Sequence, residues 1–119
     1  DFFKKINDKY GHLKADELLN KLANILKKSL RKSDITARFG GEEFFILFPE
    51  TDIEKAKFLT SRLRELIKED KTLKKYSLTI SGGLTEFKKP DTKKSLMQRA
   101  DKALYKAKNS GRDRFVVLR

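Results

Sequence analysis

Two strand-forming runs, Ile35 to Phe39 and Phe44 to Phe48, are separated by the four residues Gly40-Gly41-Glu42-Glu43. β-Branched and aromatic residues on either side of a glycine-bearing connection of this length predict a β-hairpin, with two adjacent carboxylates at its tip. Carboxylates on a glycine-rich turn can reach a ligand, because the glycines let the backbone approach it closely. The second run, Phe44-Phe45-Ile46-Leu47-Phe48, is the longest wholly apolar one in the chain. It falls far short of the roughly 20 residues that span a bilayer, so a transmembrane reading is excluded.

Around the hairpin the hydrophobic period changes. After a short segment from Phe2 to Lys9 and a turn at Tyr10-Gly11-His12, Leu18, Leu22, Ile25 and Leu26 share one face and predict a helix over about residues 13 to 30. Thr51 to Glu54 has capping-box spacing, and Ala56, Leu59, Leu63, Leu66 and Ile67 supply the stripe of a second long helix ending near Asp70. A basic connector leads to Ser77 to Leu84, where Leu78, Ile80 and Gly82-Gly83 predict a strand with a bulge or a closely approached backbone. Asp91 or Thr92 caps a third long helix carrying Leu96, Ala100, Ala103, Leu104 and Ala107. Gly111 stops it where a left-handed residue is needed, and Phe115 to Leu118 is a final strand. Helices interleaved with strands mean an α/β fold, with helices packed on a central sheet. With 119 residues and no linker, low-complexity tract or repeat, one domain over 1–119 is expected.

The chain carries 29 Lys and Arg against 17 Asp and Glu, a formal +12. Residues Glu86 to Arg119 hold eleven basic and four acidic side chains, so the excess is concentrated toward the C-terminal end. Such a field attracts polyphosphate, nucleic acid or an acidic membrane surface without choosing among them. Nucleic acid has only the charge behind it and no readout motif, which sets it aside as the expected partner. With no Cys there is neither a disulfide framework nor a thiolate metal site, and no signal-peptide pattern opens the chain. The expected compartment is the cytoplasm, with any membrane tether of the parent protein lying in a region outside these residues.

The sequence resembles the GGDEF-type diguanylate cyclase domains, in the GGEEF variant. The likeness runs through Asp1-Phe2-Phe3-Lys4-Lys5-Ile6-Asn7-Asp8, Gly11-His12, Asp16, Arg38-Phe39-Gly40-Gly41, Ala100-Asp101-Lys102-Ala103-Leu104-Tyr105-Lys106-Ala107-Lys108 and Ser110-Gly111-Arg112. It implies a central, mostly antiparallel sheet flanked by helices, similar to nucleotidyl cyclase and polymerase palm domains. It also implies condensation of two GTP into cyclic di-GMP and two pyrophosphates with Mg²⁺ or Mn²⁺, at a transient antiparallel homodimer interface. Attack of a ribose hydroxyl on an α-phosphate needs charge neutralisation and a route for the proton, and adjacent carboxylates can divide those tasks.

By the resemblance, Glu42 is a metal ligand, and Glu43 either aids metal binding or deprotonates the 3′-hydroxyl. Phe2 and Phe3, through main-chain groups, and Lys4, Lys108 and Arg112, through side chains, correspond to contacts to the GTP phosphates. A helix start with free N–H groups suits that task. Asn7 and Asp16 correspond to the guanine readers: a carboxylate accepts from the N1–H and N2–H of the base, and an amide offers both donor and acceptor. His12, the only histidine, lies between them as a structural or nucleotide-proximal residue. Arg31-Lys32-Ser33-Asp34 has the RxxD spacing at the family's product-inhibition position, and Arg62 matches its second inhibitory arginine.

Three departures accompany the likeness. The family carries a strand and the first Asp of an Asp-x-Asp segment just upstream of the position of Asp1, so the resemblance implies an N-terminally truncated domain. Ala15 stands where the family usually has Gly beside the guanine-reading Asp, and Gly82-Gly83 places Gly where Ile or Leu is more usual. The rival reading is a non-catalytic cyclic di-GMP receptor acting through Arg31, Asp34 and Arg62, or an inactive GTP-binding module. Regulation is expected from an upstream domain that is not in these residues.

Overall fold

The computed structural model describes residues 1, 3–39 and 41–119; Phe2 and Gly40 lie outside the described residues. The elements run α1 (Phe3–Tyr10), α2 (His12–Ser29), β1 (Ile35–Arg38), β2 (Phe44–Leu47), α3 (Ile53–Glu69), α4 (Lys71–Lys75), β3 (Gly82–Leu84), α5 (Lys93–Asn109) and β4 (Phe115–Val117). Among the described residues, no helix is long and apolar enough to cross a membrane. The chain clusters into two units. One comprises Asp1, Thr51–Arg64 and Thr79–Arg119, the other Glu65–Leu78 and the described residues after Asp1 up to Glu50.

In the unit that begins with α1, Gly11 at φ 89 breaks the chain direction between α1 and α2 while its N–H donates to the Asn7 carbonyl at 2.9 Å. Only glycine adopts that backbone at no steric cost. Helix α1 packs on α2, burying Phe3 and Ile6 together with Leu18, Leu19, Leu22 and Leu26. The hairpin forms as the turn residues predict, with antiparallel register Ile35↔Leu47 through Arg38↔Phe44. The basic connector is not extended but helical: the Asp70 carboxylate accepts from Leu73 N at 3.0 Å and starts α4, which buries Leu73 against α2. Five residues are too few to show a helical hydrophobic period, so the cap is the deciding feature.

In the other unit, β3 and β4 pair in parallel, Gly82↔Phe115 through Leu84↔Val117, and α5 makes the crossover between them. The expected strand from Ser77 reduces to Gly82–Leu84. The cap of α3 is carried by Asp52, one residue beyond the expected Thr51: its carboxylate accepts from Lys55 N at 2.8 Å. Thr92 caps α5 in a reciprocal box with Ser95. The Gly82-Gly83 pair has a physical cause. A Cβ at Gly83 would overlap the Ala100 carbonyl oxygen and the Leu104 nitrogen, so backbone of α5 lies directly on backbone of β3. A Cβ at Gly82 would overlap only the ring of Phe115.

Arg99 of α5 fastens the chain between β3 and α5. Its guanidinium donates to Thr85 Oγ1, to the Glu86 carbonyl at 2.7 Å and to both oxygens of Asp91, at 3.0 and 2.6 Å. The Arg99 guanidinium first, and then the Lys88 backbone N–H, hold the Asp91 carboxyl far below the usual carboxylate range.

Two outcomes follow from these contacts. Gly83→Ala lowers stability by about 2 kcal/mol in equilibrium denaturation, the cost of overpacking against unyielding backbone. Gly82→Ala costs less, because the Phe115 ring can turn away; equal losses would show that α5 does not rest on the Gly83 backbone. A carboxyl whose folded pKa is depressed stabilises the fold above its unfolded pKa and loses that contribution as pH falls toward the folded value. Between about pH 4 and pH 2, the urea midpoint of Asp91→Asn therefore falls less steeply than that of the unsubstituted chain. Parallel slopes would remove Asp91 from the account of acid stability.

Candidate functional site

The hairpin turn presents its two acids to solvent: Glu42 and Glu43 are both exposed. Two bonds close the turn behind them. Phe39 N donates to the Glu43 carbonyl at 2.8 Å, and Arg38 Nε donates to the Gly41 carbonyl at 2.7 Å. Gly41 sits at φ 49 with open space where a Cβ would be, so the glycine there serves the backbone conformation and not a close approach. Gly40 lies outside the described residues. Arg38, which closes the turn, was given no role by sequence reasoning although it stands within the motif; its tether to Gly41 has no periodicity or spacing to reveal it.

In the same unit, α1 carries three of the candidate nucleotide contacts. Phe3 is buried at the helix start, so its ring belongs to the core and only its main chain is left for a ligand. Lys4 is exposed on the first turn, and Asn7 follows it at i+3, a spacing that puts the two on adjoining parts of one helix surface. Asn7 Oδ1 is buried, and among the described residues no hydrogen-bond donor reaches it. A buried amide oxygen left in that state costs about 1–3 kcal/mol, an uncommon burden for a folded protein to keep. His12 and Asp16, on the first turns of α2, are exposed, and Ala15 is buried in the core. Phe2 lies outside the described residues.

Arg31 and Asp34 meet between α2 and β1. Arg31 Nη2 donates to Asp34 Oδ1 at 2.9 Å, Nε reaches both carboxylate oxygens at 3.2 Å, and Arg31 N donates to Oδ2 at 2.8 Å. The Asp34 side chain is only 1% exposed while that of Arg31 keeps 36%. Burial pushes the Asp34 carboxyl up, but the guanidinium and the backbone N–H outweigh it, and the net result lies below the ordinary value. Asp34 in turn raises the pKa of Arg31, which stays charged. Arg62 is exposed on α3, in the other unit.

That other unit also carries Lys108, half-buried on the last turn of α5, and Arg112 just beyond it. Three successive residues there have left-handed backbone: Gly111 at φ 115, Arg112 at 61 and Asp113 at 51. Glycine tolerates this freely, whereas each residue with a Cβ loses roughly 1–2 kcal/mol. Asp1 is anchored nearby in the same unit. Its carboxylate accepts from Thr79 Oγ1 at 2.8 Å and Ser81 Oγ at 2.8 Å, and from Asp113 N at 3.2 Å. Thr79, Ser81, Asp113 and Arg64 were absent from the sequence-derived site, because their bonds join residues 32 to 112 positions apart.

Among the described residues, no cluster of three or more His, Cys, Asp or Glu is assembled to hold a metal. Mg²⁺ does not require one: it binds through one or two carboxylates and completes its shell with water and substrate phosphates. The exposed carboxylates of Glu42 and Glu43 are hard oxygen donors of that kind, and they fit such a role.

Residues 1–114 match the family profile described as diguanylate cyclase, GGDEF domain. A curated relative, diguanylate cyclase DgcP of Pseudomonas aeruginosa, is 45% identical over 98% of the chain, which covers 18% of the relative. Diguanylate cyclase A of Treponema denticola is 41% identical over 98% of the chain and 33% of its own length. The chain thus spans a third or less of these relatives. Among solved structures, the GGDEF domain of DgcB from Caulobacter crescentus, in complex with c-di-GMP, superposes with a TM-score of 0.91 at 29% identity, covering 98% of this chain and 72% of that one. The active GGEEF domain of a diguanylate cyclase from Vibrio cholerae superposes with a TM-score of 0.89 at 34% identity, covering 100% and 78%.

Proposed function

The chain belongs to the GGDEF family of diguanylate cyclase domains and has their α/β fold, and from that premise we propose that it condenses two GTP into cyclic di-GMP and two pyrophosphates. The observation that carries this reading is the exposed Glu42–Glu43 pair on a turn closed by Arg38 and Phe39. The 3′-oxygen of each GTP forms a bond to the α-phosphorus of the other, the bond from that phosphorus to pyrophosphate breaks, and the hydroxyl proton leaves to a base. Glu42 would hold a divalent ion, which would supply positive charge against the reacting phosphates. Glu43 stands beside it and either shares that task or takes the proton.

The remaining residues bind and orient. By the family likeness, Phe2 and Phe3 through main chain, and Lys4, Lys108 and Arg112 through side chains, take the terminal phosphates. Asp16 and Asn7 read guanine, and the undonated Asn7 Oδ1 awaits an N–H of the kind that guanine carries on N1 and N2. Adenine presents a different pattern there. His12 lies next to this region of α2 as a nucleotide-proximal group. Each protomer supplies one GTP, so the reaction needs a transient antiparallel homodimer, with an upstream regulatory domain controlling its formation. Product returns to Arg31, Asp34 and Arg62 and inhibits: the guanidinium of Arg31 pairs with a phosphate or the guanine edge.

Incubation with GTP and Mg²⁺ yields cyclic di-GMP on chromatography, and Glu42→Ala or Glu43→Ala lowers the rate at least about a hundredfold. For Glu43, a shifted Mg²⁺ requirement in Glu43→Gln indicates the metal role, and loss of the acid limb of the pH–rate profile the proton role. Intact GTP together with tight cyclic di-GMP binding would instead make the protein a receptor. Arg31→Ala raises the cyclic di-GMP concentration for half-inhibition at least about tenfold; an unchanged value removes the inhibitory assignment.

A further inference from the structure

We propose that Arg64 and Asp113 are positioning residues for Arg112: they hold the turn after α5 in the one backbone state that presents the Arg112 side chain to phosphate. The proposal rests on the assignment of Arg112 as a phosphate contact made above. Stopping a helix takes one left-handed residue, and Gly111 at φ 115 already provides it. The chain nevertheless continues through two more left-handed residues that carry side chains, Arg112 at φ 61 and Asp113 at φ 51. Backbone outliers of this kind persist only where the surroundings over-determine them, and they gather at functional sites.

The surroundings here are specific. Arg64 Nε, from α3, donates to the Asp113 carbonyl at 2.9 Å and to Asp113 Oδ1 at 2.9 Å, so one guanidinium fixes both the main chain and the side chain of a residue 49 positions away. Neither partner is freely solvated, at 28% and 30% exposure. In addition, Asp113 N donates to Asp1 Oδ2 at 3.2 Å and to Ser81 Oγ at 3.2 Å. Arg112 N is tied to the Ala107 carbonyl at 3.0 Å, and the Arg112 carbonyl accepts from Arg114 Nε at 3.0 Å. Arg112 is thus bracketed by fixed points on both sides, while its side chain is directed from an exposed position. None of these bonds touches substrate; their effect is transmitted through the backbone of Arg112.

Calorimetric titration of the full chain separates this role from general stability. The probes are a GTP analogue with a methylene bridge between its α- and β-phosphates, which cannot be cleaved, and GMP, which lacks the terminal phosphates. Arg64→Met weakens the triphosphate about tenfold and leaves GMP unchanged. Arg64→Lys, which keeps the charge and a donor but not the planar guanidinium, recovers part of that affinity. In an Arg112→Ala background, Arg64→Met adds no further loss, as expected for two residues acting through one contact. Should Arg64→Met not fold, Asp113→Ala, which keeps the carbonyl bond to Arg64, shows the same triphosphate-selective loss at about threefold. Equal weakening of both probes, or losses that add in the double variant, would overturn the proposal in favour of a purely structural ion pair. Unchanged triphosphate affinity in Arg112→Ala would overturn the phosphate assignment itself, and the positioning role with it; a loss in Arg112→Ala but none in Arg64→Met would overturn the positioning role alone.

Discussion

Helix α5 lies against β3 because position 83 has no side chain. With the Ala100 carbonyl and the Leu104 nitrogen where a Cβ would stand, the two backbones touch, and the buried methyls of Ala103 and Ala107 continue the same close face. An interface of small residues on glycine leaves the helix little freedom to slide or roll. The rest of that unit depends on this contact: a fixed α5 determines where Asn109 ends the helix, where Lys108 projects, and where the turn through Gly111, Arg112 and Asp113 begins. It also sets β4 in register with β3, since the crossover through α5 joins them.

Two arginines then secure what packing alone leaves loose. Arg99 gathers Thr85, Glu86 and Asp91 at one end of α5, and Arg64 gathers Asp113 beyond the other. Both are partly shielded, and both combine an ion pair with a bond to a backbone carbonyl. Such forked contacts differ from exposed pairs such as Arg119 with Glu54, which is open to solvent on both sides and contributes little. In the unit that begins with α1, the corresponding local device is the Asp70 cap that turns a basic connector into α4.

Elements with a repeated pattern were legible in the sequence. Leu18, Leu22 and Leu26 marked α2, the Thr92 and Gly111 signals bounded α5, and the glycine turn placed the hairpin within a residue of its observed ends. The acidic pair and the Arg31–Asp34 spacing were visible for the same reason: each lies within a few residues of chain. Single local hydrogen bonds were harder. Asp52 caps α3 although Thr51 has the better spacing, and nothing in Lys71–Lys75 has a helical period. The bonds of Asp1 to Thr79 and Ser81, and of Arg64 to Asp113, were not legible at all, because long-range polar contacts leave no periodic trace. Gly82-Gly83 stood between these cases: the pair announced a close approach without saying to what.

The pairing of Arg31 with Asp34 has a consequence for anything that meets it. A free arginine on a surface carries about 2 kcal/mol of rotamer entropy, which an incoming anion must suppress before it gains a bond. Here folding has already suppressed it: Asp34, its side chain 1% exposed, grips the guanidinium through Nε and Nη2. The carboxylate cancels part of the positive charge in the same act, so the arrangement exchanges long-range attraction for preorganisation. A surface built this way discriminates by the shape and hydrogen-bond pattern of what it receives, and responds weakly to charge alone.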